Sequence, residues 1–330
     1  MIHKSSIVSI ALAANHRYLP GLMATMASLI LSASDRGRLR FHVFADGLTE
    51  DDCQDVAELA RRLGAVIPVE FHRPDMTVIT RRFGGYNGSH TTYLRLFLCE
   101  YLTDEDWVVY SDVDILWFRD VCQLWNLLEK DKSVLWCADL PSIASDVRLY
   151  SLRWNPGFDV KRYACAGMLV MNLKRMRETG FVDKCMDFAK RWGTPFFVDQ
   201  DILNFVCFDD ARILPQYWDL MMPDRRAADG GVVHFNGVGR MFNGPMIGWR
   251  PLYWLWYRFY YDIVLEEREK RVCGRFKSLV FWLLGSIYPD RRLVRLFTWP
   301  FRPQVTDQIQ RQLFFAWLWR HANWMGTWRT

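Results

Sequence analysis

The sequence predicts an α/β fold with a mostly parallel central sheet flanked by helices. Two observations carry this prediction. Strand-like and helix-like segments alternate through the first half of the chain, from residues 7–12 to 18–34 to 40–45, and this alternation is typical of strand–helix–strand units with parallel strands. The 330 residues, of which 51% are hydrophobic, are also enough to bury one large core.

The predicted elements follow one another in a regular order. The strand at residues 40–45 runs into turn-forming residues at Asp46-Gly47, and Thr49 with Asp52 is a capping pattern for the helix that follows. Glycines at positions 84, 85 and 88 predict a mobile loop over residues 75–89. The predicted strands are residues 7–12, 40–45, 66–71, 107–111, 134–137, 166–172 and 232–235, and the predicted helices are residues 18–34, 50–63, 91–101 and 181–192.

Asp112 and Asp114 are the strongest chemical signal in the chain. They directly follow the apolar strand predicted at residues 107–111, and the ligands of open α/β sheets gather at the edge where such strands end. Two carboxylates one residue apart can both reach a hard divalent cation that bridges phosphate oxygens. Taken alone, the pair is equally consistent with a turn that carries two solvated aspartates.

Several ordered motifs resemble the signature of glycosyltransferase family 8, which includes bacterial lipopolysaccharide galactosyl- and glucosyltransferases and glycogenin. The motifs are TTYLRL at residues 91–96, VVYSDVDIL at 108–116, AGMLVMNL at 166–173, DQDILN at 199–204 and HFNGVGR at 234–240. The resemblance covers about residues 5–260. It implies a GT-A fold with a Rossmann-like mixed, mostly parallel sheet, and a nucleotide-sugar donor.

The resemblance also implies a metal site, in which Asp112, Asp114 and His234 hold Mn²⁺, with Mg²⁺ as the alternative ion. An imidazole beside carboxylates is a donor set that suits Mn²⁺. Without the resemblance, a lone histidine after a short strand would be interpreted as a hydrogen-bonded core residue. The residues that the resemblance implies at a bound UDP-sugar are Ala11, Asn15, Arg95, Val113, Ala166, Gly237 and Arg240.

Four residues are implied at the donor sugar. Asp199 and Gln200 correspond to the residues that line its reacting face, Arg95 to a residue that binds the sugar and diphosphate, and Asp139 to a carboxylate that contacts the sugar. Three of the four, all except Gln200, have a simpler explanation from their surroundings in the sequence. Arg95 could form an exposed ion pair on a helix, Asp139 could be a solvated loop residue, and Asp199 could be a helix N-cap.

Two positions depart from the family pattern. Residues 11–15 read Ala-Leu-Ala-Ala-Asn, which keeps Asn15 but offers alanines in place of acidic residues that contact the base and ribose. Cys165 stands where the family has asparagine, so that a weakly polar thiol replaces an amide at the sugar. Base selectivity and donor sugar therefore stay open.

The resemblance implies retention of configuration at the anomeric carbon. In the favoured front-face route, the departing diphosphate oxygen accepts the proton of the acceptor while Mn²⁺ and Arg240 hold the negative charge. The alternative route forms a covalent intermediate on Asp199, as retaining glycosidases do on a carboxylate. Gln200 is too weak a nucleophile for that part.

Three features of the sequence favour a cytoplasmic location. The eight cysteines are scattered and form no Cys-x-x-Cys pair, which is typical of a reducing compartment. The first twelve residues read as a strand rather than as a secretory signal. The longest apolar stretches reach only about half of the roughly 20 residues that cross a bilayer as a helix.

The end of the chain differs in composition from the rest. Residues 268–330 contain twelve Lys or Arg against three Asp or Glu, interleaved with twelve Phe or Trp, and both classes favour the headgroup region of an anionic membrane. We predict a catalytic domain over residues 1–265 and a basic, aromatic-rich helical region over residues 266–330 that attaches peripherally to the inner face of the cytoplasmic membrane. Packing of these aromatics on the main domain is the alternative, and nucleic-acid binding is disfavoured.

The expected activity is transfer of galactose or glucose to a membrane-associated glycan or glycolipid, such as lipopolysaccharide core. Phosphatases that use an Asp-x-Asp loop normally carry it after their first strand, whereas here it lies in mid-chain before Ile115-Leu116. The departures at Ala13 and Cys165 keep a second alternative open, a catalytically degraded sugar-nucleotide-binding or scaffold protein. The sequence does not indicate an oligomeric state.

Overall fold

A computed structural model describes residues 6–85, 89–221 and 230–235, together with Val264. Over these ranges the chain alternates strands and helices. The strands are β1 Val8–Asn15, β2 Leu39–Asp46, β3 Glu70–His72, β4 Trp107–Ser111, β5 Ile115–Trp117, β6 Val134–Ala138, β7 Ala164–Asn172, β8 Ala211–Leu214 and β9 Val232–His234. The helices are α1 Leu19–Ser32, α2 Glu50–Arg62, α3 Thr77–Arg82, α4 Leu98–Tyr101, α5 Pro141–Ser151, α6 Leu173–Glu178, α7 Phe181–Trp192 and α8 Val198–Val206, with 3-10 turns at His16–Tyr18, Arg36–Arg38, Thr91–Phe97, Val121–Asn126, Val160–Arg162 and Gln216–Trp218.

Seven of these strands form one mixed sheet in the order β3-β2-β1-β4-β7-β6-β8. The pairs β2–β3, β1–β2, β1–β4 and β6–β8 are parallel, and only β7 runs antiparallel to both of its neighbours. The two remaining strands, β5 and β9, pair antiparallel as a small separate sheet. The predicted α/β class with a mixed, mostly parallel sheet is therefore confirmed.

Apolar layers cover both faces of the main sheet. One core cluster joins β1 and β2 to buried residues of α1 and α2, and the other joins β4 and β7 to the Thr91–Phe97 turn, α7 and α8. Because both faces are covered, the central strand β7 is buried along its whole length, as expected for a strand between two layers. The polar ends of the strands are therefore the places where side chains can reach solvent and bind a ligand.

Local sequence explains where several helices begin. Thr49 accepts a hydrogen bond from the N–H of Asp52, whose carboxylate accepts one from the N–H of Thr49, so the predicted cap forms a reciprocal capping box. Pro20 lies in the first turn of α1, where proline costs no hydrogen bond. Gly180 and Gly193 flank α7 with φ of +62° and +74°, which glycine adopts without strain.

The structure differs from the sequence prediction between β2 and β4. Residues 75–89 were predicted as a mobile loop but contain α3, because the Asp75 carboxylate accepts from the N–H of Thr77 and Ile79 is buried in the core. The strand predicted at residues 66–71 begins later, at Glu70, since Val66 is 72% exposed and Pro68 cannot donate to a strand ladder. The predicted helix at residues 91–101 begins as a 3-10 turn.

No helix within the described residues is long and apolar enough to span a membrane. The predicted membrane-association region, residues 266–330, lies outside the residues that the structure describes. All seven described cysteines are free thiols and are buried.

Candidate active site

A pocket opens at the carboxyl ends of β1 and β4, which are adjacent parallel strands. Parallel neighbours end at the same edge of a sheet, and this edge is where α/β folds gather ligands. Asp112 and Asp114 follow β4, and Asn15 ends β1. The residues that line the pocket are Ala13, Ala14, Asn15, Arg17, Tyr18, Ser89, Thr91, Thr92, Arg95, Tyr110, Asp112, Val113 and Asp114.

The small β5–β9 sheet brings a histidine to these aspartates. Asp114 precedes β5, and His234 ends β9, where it pairs with Ile115 in the antiparallel register. His234 Nε2 lies 3.3 Å from Asp114 Oδ1. One ligand atom from each of Asp112, Asp114 and His234 falls within 4.8 Å of the others, so the structure gathers the three residues that the resemblance implies at a metal.

Gly167 makes room for this histidine. A Cβ added at Gly167 would lie 2.6 Å from Nδ1 and 2.9 Å from Nε2 of His234, and closer still to Cε1. The carbonyl of Gly167 also accepts a 2.7 Å hydrogen bond from the N–H of Asp112. The AGMLVMNL motif therefore requires glycine at this position, because a larger residue would not fit between β7 and the imidazole.

Asp219 holds the other side of the imidazole. His234 Nδ1 lies 3.0 Å from Asp219 Oδ1 and 3.7 Å from the Sγ atom of Cys165. Asp219 is completely buried, so it holds a proton on Nδ1 and turns Nε2 toward Asp114. Burial alone would lower the pKa of His234, but Asp219 and Asp114 raise it well above its ordinary value.

The cluster fits a divalent cation. Asp114 Oδ1 is buried and, apart from its 3.3 Å approach to His234 Nε2, has no hydrogen-bond partner among the described residues, and such an oxygen is suited to bind a ligand. Burial, and then repulsion from Asp114, raise the pKa of Asp112 against the opposing charge of Arg95. Two carboxylates and an imidazole are a donor set that suits Mn²⁺ and related ions.

Arg95 links three elements beneath the pocket. Its guanidinium pairs with Asp112 at 2.6 Å and with Asp199 at 3.0 Å, donates to the carbonyl of Ala166, and lies 4.4 Å over the Tyr110 ring. Its side chain is only 5% exposed. The exposed ion pair that was the simpler explanation of Arg95 is therefore wrong. Arg95 lines the pocket, but its ion pairs hold the carboxylates of Asp112 and Asp199 in place.

Asp199 lies within this network and does not cap its helix. The N-cap position of α8 is Phe197, so the N-cap explanation is wrong. Asp199 Oδ1 accepts a 2.6 Å hydrogen bond from Thr92, and Oδ2 faces Arg95. Burial raises the pKa of Asp199, which Arg95 and the Thr92 hydrogen bond oppose. Its neighbour Val198 has a φ of +42°, a strained conformation for a β-branched residue.

Gln200 connects α8 to the loop after β6. Its Oε1 accepts from the N–H of Ala166 at 3.0 Å, and its Nε2 donates to Asp139 Oδ2 at 2.8 Å and to the Tyr163 hydroxyl at 3.1 Å. Burial raises the pKa of Asp139. Asp139 is therefore held in a hydrogen-bond network, rather than lying as a freely solvated loop residue.

The pocket is also lined by uncharged polar groups. Asn15 donates to Ser89 at 3.3 Å, while its Oδ1 is buried with no partner among the described residues. Ser89 and Thr91 share a 2.7 Å hydrogen bond, and Thr91 donates to Asp46. An orphaned amide oxygen at a pocket wall is suited to accept from a ligand.

Two of the predicted donor contacts, Ala11 and Ala166, are not among the residues that line the pocket. Ala11 is completely buried in the middle of β1. Ala166 is 3% exposed, and both of its backbone groups are used by Gln200 and Arg95. Val113 lines the pocket between the two aspartates. Gly237 and Arg240 lie outside the described residues.

Asp219, Thr92 and Tyr110 are site residues that the sequence prediction missed. Asp219 follows a 3-10 turn in irregular sequence, and no periodic pattern marks it. Tyr110 reads as a core aromatic, although its hydroxyl donates to Asp112 at 3.0 Å. Thr92 lies three residues before Arg95, a spacing that could have indicated a shared helical face.

Comparison with curated proteins finds distant relatives, several of which carry transferase names. The chain is 22% identical over 223 residues to general stress protein A of Bacillus subtilis, a match that covers 66% of this chain and 75% of that protein. It is 26% identical over 222 residues to a lipopolysaccharide 1,3-galactosyltransferase of Salmonella typhimurium, covering 62% of this chain and 61% of that protein. Against human glucoside xylosyltransferase 1, the identity is 28%, and the match covers 43% of this chain and only 38% of the human protein.

Solved structures share the fold. The galactosyltransferase LgtC, solved with donor and acceptor sugar analogs, superposes with a TM-score of 0.66 at 22% identity, covering 80% of this chain and 99% of that chain. The bifunctional glycosyltransferase WbbM superposes with a TM-score of 0.63 at 16% identity, covering 82% of this chain and 51% of that one. The predicted GT-A fold is thus confirmed. The family model for glycosyl transferase family 8 matches residues 9–239, and the chain belongs to that family.

Proposed function

We propose that this protein is a retaining glycosyltransferase that moves galactose or glucose from a UDP-sugar, in a Mn²⁺-dependent reaction, to a membrane-associated glycan such as lipopolysaccharide core. The observation that carries the proposal is the cluster of Asp112, Asp114 and His234, whose ligand atoms lie within 4.8 Å of one another at the pocket. The names of the galactosyltransferase relatives support a hexose donor and a glycan acceptor.

The metal would be held by Asp112, Asp114 and His234, where it would stabilise the negative charge that develops on a departing diphosphate. Asp219 holds Nδ1 of His234, so that Nε2 would be the atom that binds the metal once it has lost its proton, and Gly167 leaves room for the ring. Arg95 neutralises part of the charge of Asp112 and fixes the direction of its carboxylate. The Asn15 side-chain oxygen, which lacks a partner among the described residues, would accept from the nucleoside.

The sugar would lie between the metal cluster and α8. Asp139 and Gln200 are tied together at 2.8 Å, which gives the sugar hydroxyls a fixed pair of polar groups to recognise. Asp199 is engaged by Thr92 on one oxygen and faces Arg95 with the other. Since a nucleophilic carboxylate must present a free oxygen to the anomeric carbon, this arrangement favours the front-face route over a covalent intermediate on Asp199.

The proposal is tested by metal-dependent hydrolysis of UDP-galactose and UDP-glucose, measured as release of UDP. Asp114→Asn keeps the shape of the side chain but removes a metal ligand, and we expect at least a roughly hundredfold loss of turnover. Asp51→Asn, at an exposed site in the first turn of α2, is the matched control and should hydrolyse the donor like the wild type. Equal rates with and without Mn²⁺, or an active Asp114→Asn variant, would count against the proposal.

The acceptor and the membrane form the second part of the proposal. The basic and aromatic composition of residues 266–330 supports a peripheral position on the inner face of the cytoplasmic membrane. An acceptor made at that surface would then be within reach of the pocket. Transfer of radiolabelled hexose to lipopolysaccharide acceptors with truncated cores, presented in vesicles, tests this part separately from donor hydrolysis.

A further inference from the structure

A second group of metal-ligating side chains lies near the edge of the sheet formed by β3. His42 of β2 stands beside Glu70 of β3 in the parallel register, and Phe44 stands beside His72. The side chains of His42, Glu70 and His72 therefore emerge on one face of the sheet, at its edge strand. Strand β3 is three places from β4, about 14 Å at the usual strand spacing, so this group is separate from the candidate active site.

The distances within the group match those between ligands of one ion. His42 Nδ1 lies 3.1 Å from His72 Nε2 and 3.3 Å from Glu70 Oε2, and all three residues offer ligand atoms within 4.8 Å of one another. Two ligands at about 2.0 Å from a tetrahedral zinc ion are about 3.3 Å apart. The spacing thus needs little adjustment to hold zinc.

The far side of His42 is arranged as in many zinc sites. His42 Nε2 faces Glu105 Oε1 at 3.4 Å, and Glu105 is itself fixed by hydrogen bonds from Ser9 at 2.7 Å and Arg40 at 2.8 Å. A carboxylate behind a histidine commonly directs the opposite ring nitrogen toward a metal. With its proton on Nε2, His42 presents the Nδ1 lone pair toward Glu70 and His72.

Burial and charge also suit a cation at this place. His42 is 3% exposed, while Glu70 is about half exposed, so an ion can enter from solvent and still meet a fixed ligand. Arg40 lies 3.8 Å from the other oxygen of Glu70, Oε1, which leaves Oε2 for the ion.

We infer that His42, Glu70 and His72 form a zinc site that joins the edge strand β3 to β2, with the fourth position open to water. Two imidazoles and one carboxylate with an open position are a donor set that zinc accepts. Because β3 has only three residues, a metal bridge to β2 adds a constraint that its short ladder lacks. The site's role is to hold the sheet edge.

The test is a zinc titration of the full chain by competition with a chromophoric chelator, carried out in the Asp114→Asn background so that the candidate active site is weakened. We expect one zinc equivalent to bind, and His72→Ala to weaken that binding at least about tenfold. Glu70→Gln should weaken it as well, whereas Glu58→Gln, an exposed glutamate paired with Arg61, should bind zinc like the parent chain. Zinc should raise the melting temperature of the parent but not of Glu70→Gln.

Imidazole ¹⁵N NMR identifies the ligands directly. One equivalent of zinc should shift the signals of His42 Nδ1 and His72 Nε2 in the same chain. If His72→Ala fails to fold, the half-exposed Glu70→Gln variant decides the question. Unchanged zinc affinity in Glu70→Gln, or ¹⁵N shifts confined to other histidines, would overturn the inference and leave His42 and His72 as a hydrogen-bonded pair.

Discussion

Gly167 is the residue on which the position of His234 most directly depends. A Cβ at this position overlaps the imidazole, and neither the backbone of β7 nor the buried ring has free space to retreat. The single hydrogen atom of glycine is therefore what allows a histidine from β9 to approach carboxylates at the end of β4.

We expect Gly167→Ala to reduce Mn²⁺-dependent hydrolysis of the donor by about tenfold to a hundredfold, because it displaces a metal ligand. Overpacking should also cost about 1–3 kcal/mol of unfolding free energy. Turnover against Mn²⁺ concentration and urea denaturation measure the two effects. Gly157→Ala is the control, since its Cβ would meet only the Asn155 side chain at 3.4 Å. A Gly167→Ala enzyme with normal Mn²⁺ dependence would show that His234 is no ligand.

Asp219 acts on the same histidine from the opposite side. Its Oδ1 meets Nδ1 at 3.0 Å, and its Oδ2 is buried with no hydrogen-bond partner in the part of the chain that the structure describes. The carboxylate therefore has no other partner among the described residues that would account for its burial. A full negative charge there increases the basicity of the ring that faces Asp114.

We expect Asp219→Asn to lower Mn²⁺ affinity by about tenfold to a hundredfold, the usual cost of losing an outer carboxylate. Since the amide keeps the shape of the side chain, turnover at saturating Mn²⁺ should fall much less than in Asp114→Asn. Isothermal titration of Mn²⁺ and turnover at saturating metal separate these effects. Equal losses of affinity and of saturated turnover would mean that Asp219 does more than orient the histidine.

At the scale of single elements, α8 contributes residues both to the candidate site and to the surrounding core. Its first turn delivers Asp199 to Arg95 and Gln200 to Asp139. Its Asp201 instead points into the scaffold, where it accepts from Tyr163 at 2.8 Å, from Tyr150 at 3.2 Å and from the N–H of Phe197 at 2.8 Å. The helix that carries Asp199 and Gln200 is thus anchored by a neighbouring carboxylate.

Asp201 should make stability depend on pH. Burial raises its pKa to about 6 despite the hydrogen bonds from Phe197, Tyr163 and Tyr150, whereas the unfolded value is about 3.9. The folded state therefore keeps its proton longer than the unfolded state. This contribution to stability is fully present below pH 4 and is lost as pH rises through 6, by about 3 kcal/mol.

The measurement is the free energy of unfolding in urea between pH 4 and 7. Asp201→Asn cannot ionise, so the difference between wild type and variant should shift against the wild type as pH rises through this window. Asp51→Asn, which changes an exposed carboxylate, should follow the wild type throughout. A wild-type curve parallel to that of Asp201→Asn would place the pKa of Asp201 near its unfolded value.

How far the sequence predicts these elements depends on what determines each one. Strand β4 and helix α7 are predicted to the residue, because an apolar run and a 3.6-residue period mark them. The turn at Thr91–Phe97 departs from the α-helical prediction, since Arg95 there bonds to β4, β7 and α8, which lie far away in the sequence. Asp219 has no local pattern at all, as its role arises only when β9 folds beside it.

At the scale of the whole molecule, charge is divided between the ends of the chain. Residues 268–330 carry a net charge of +9 within a chain whose total is +5, so the remaining residues are net acidic. In the proposed function, these basic residues would be the part of the chain that meets an anionic surface. The pocket and its carboxylates belong to the net acidic part of the chain, which an anionic membrane would repel. This division of charge would therefore orient the enzyme at the membrane.

We expect the triple substitution Arg291→Gln, Arg292→Gln and Arg295→Gln to weaken binding to vesicles containing anionic lipid by about a hundredfold, because each cation contributes about 1 kcal/mol at such a surface. Sedimentation with vesicles at low and raised salt measures the effect, and the wild type should lose affinity with salt.

The matched control removes three exposed cations from the catalytic part, Arg81, Arg82 and Lys190, and should bind like the wild type. Donor hydrolysis in solution should be equal in the control and the wild type, since Arg81, Arg82 and Lys190 are not among the residues that line the pocket. If the tail variant and the control lose vesicle affinity equally, attraction is a property of the whole surface, and residues 266–330 do not form the membrane-association region.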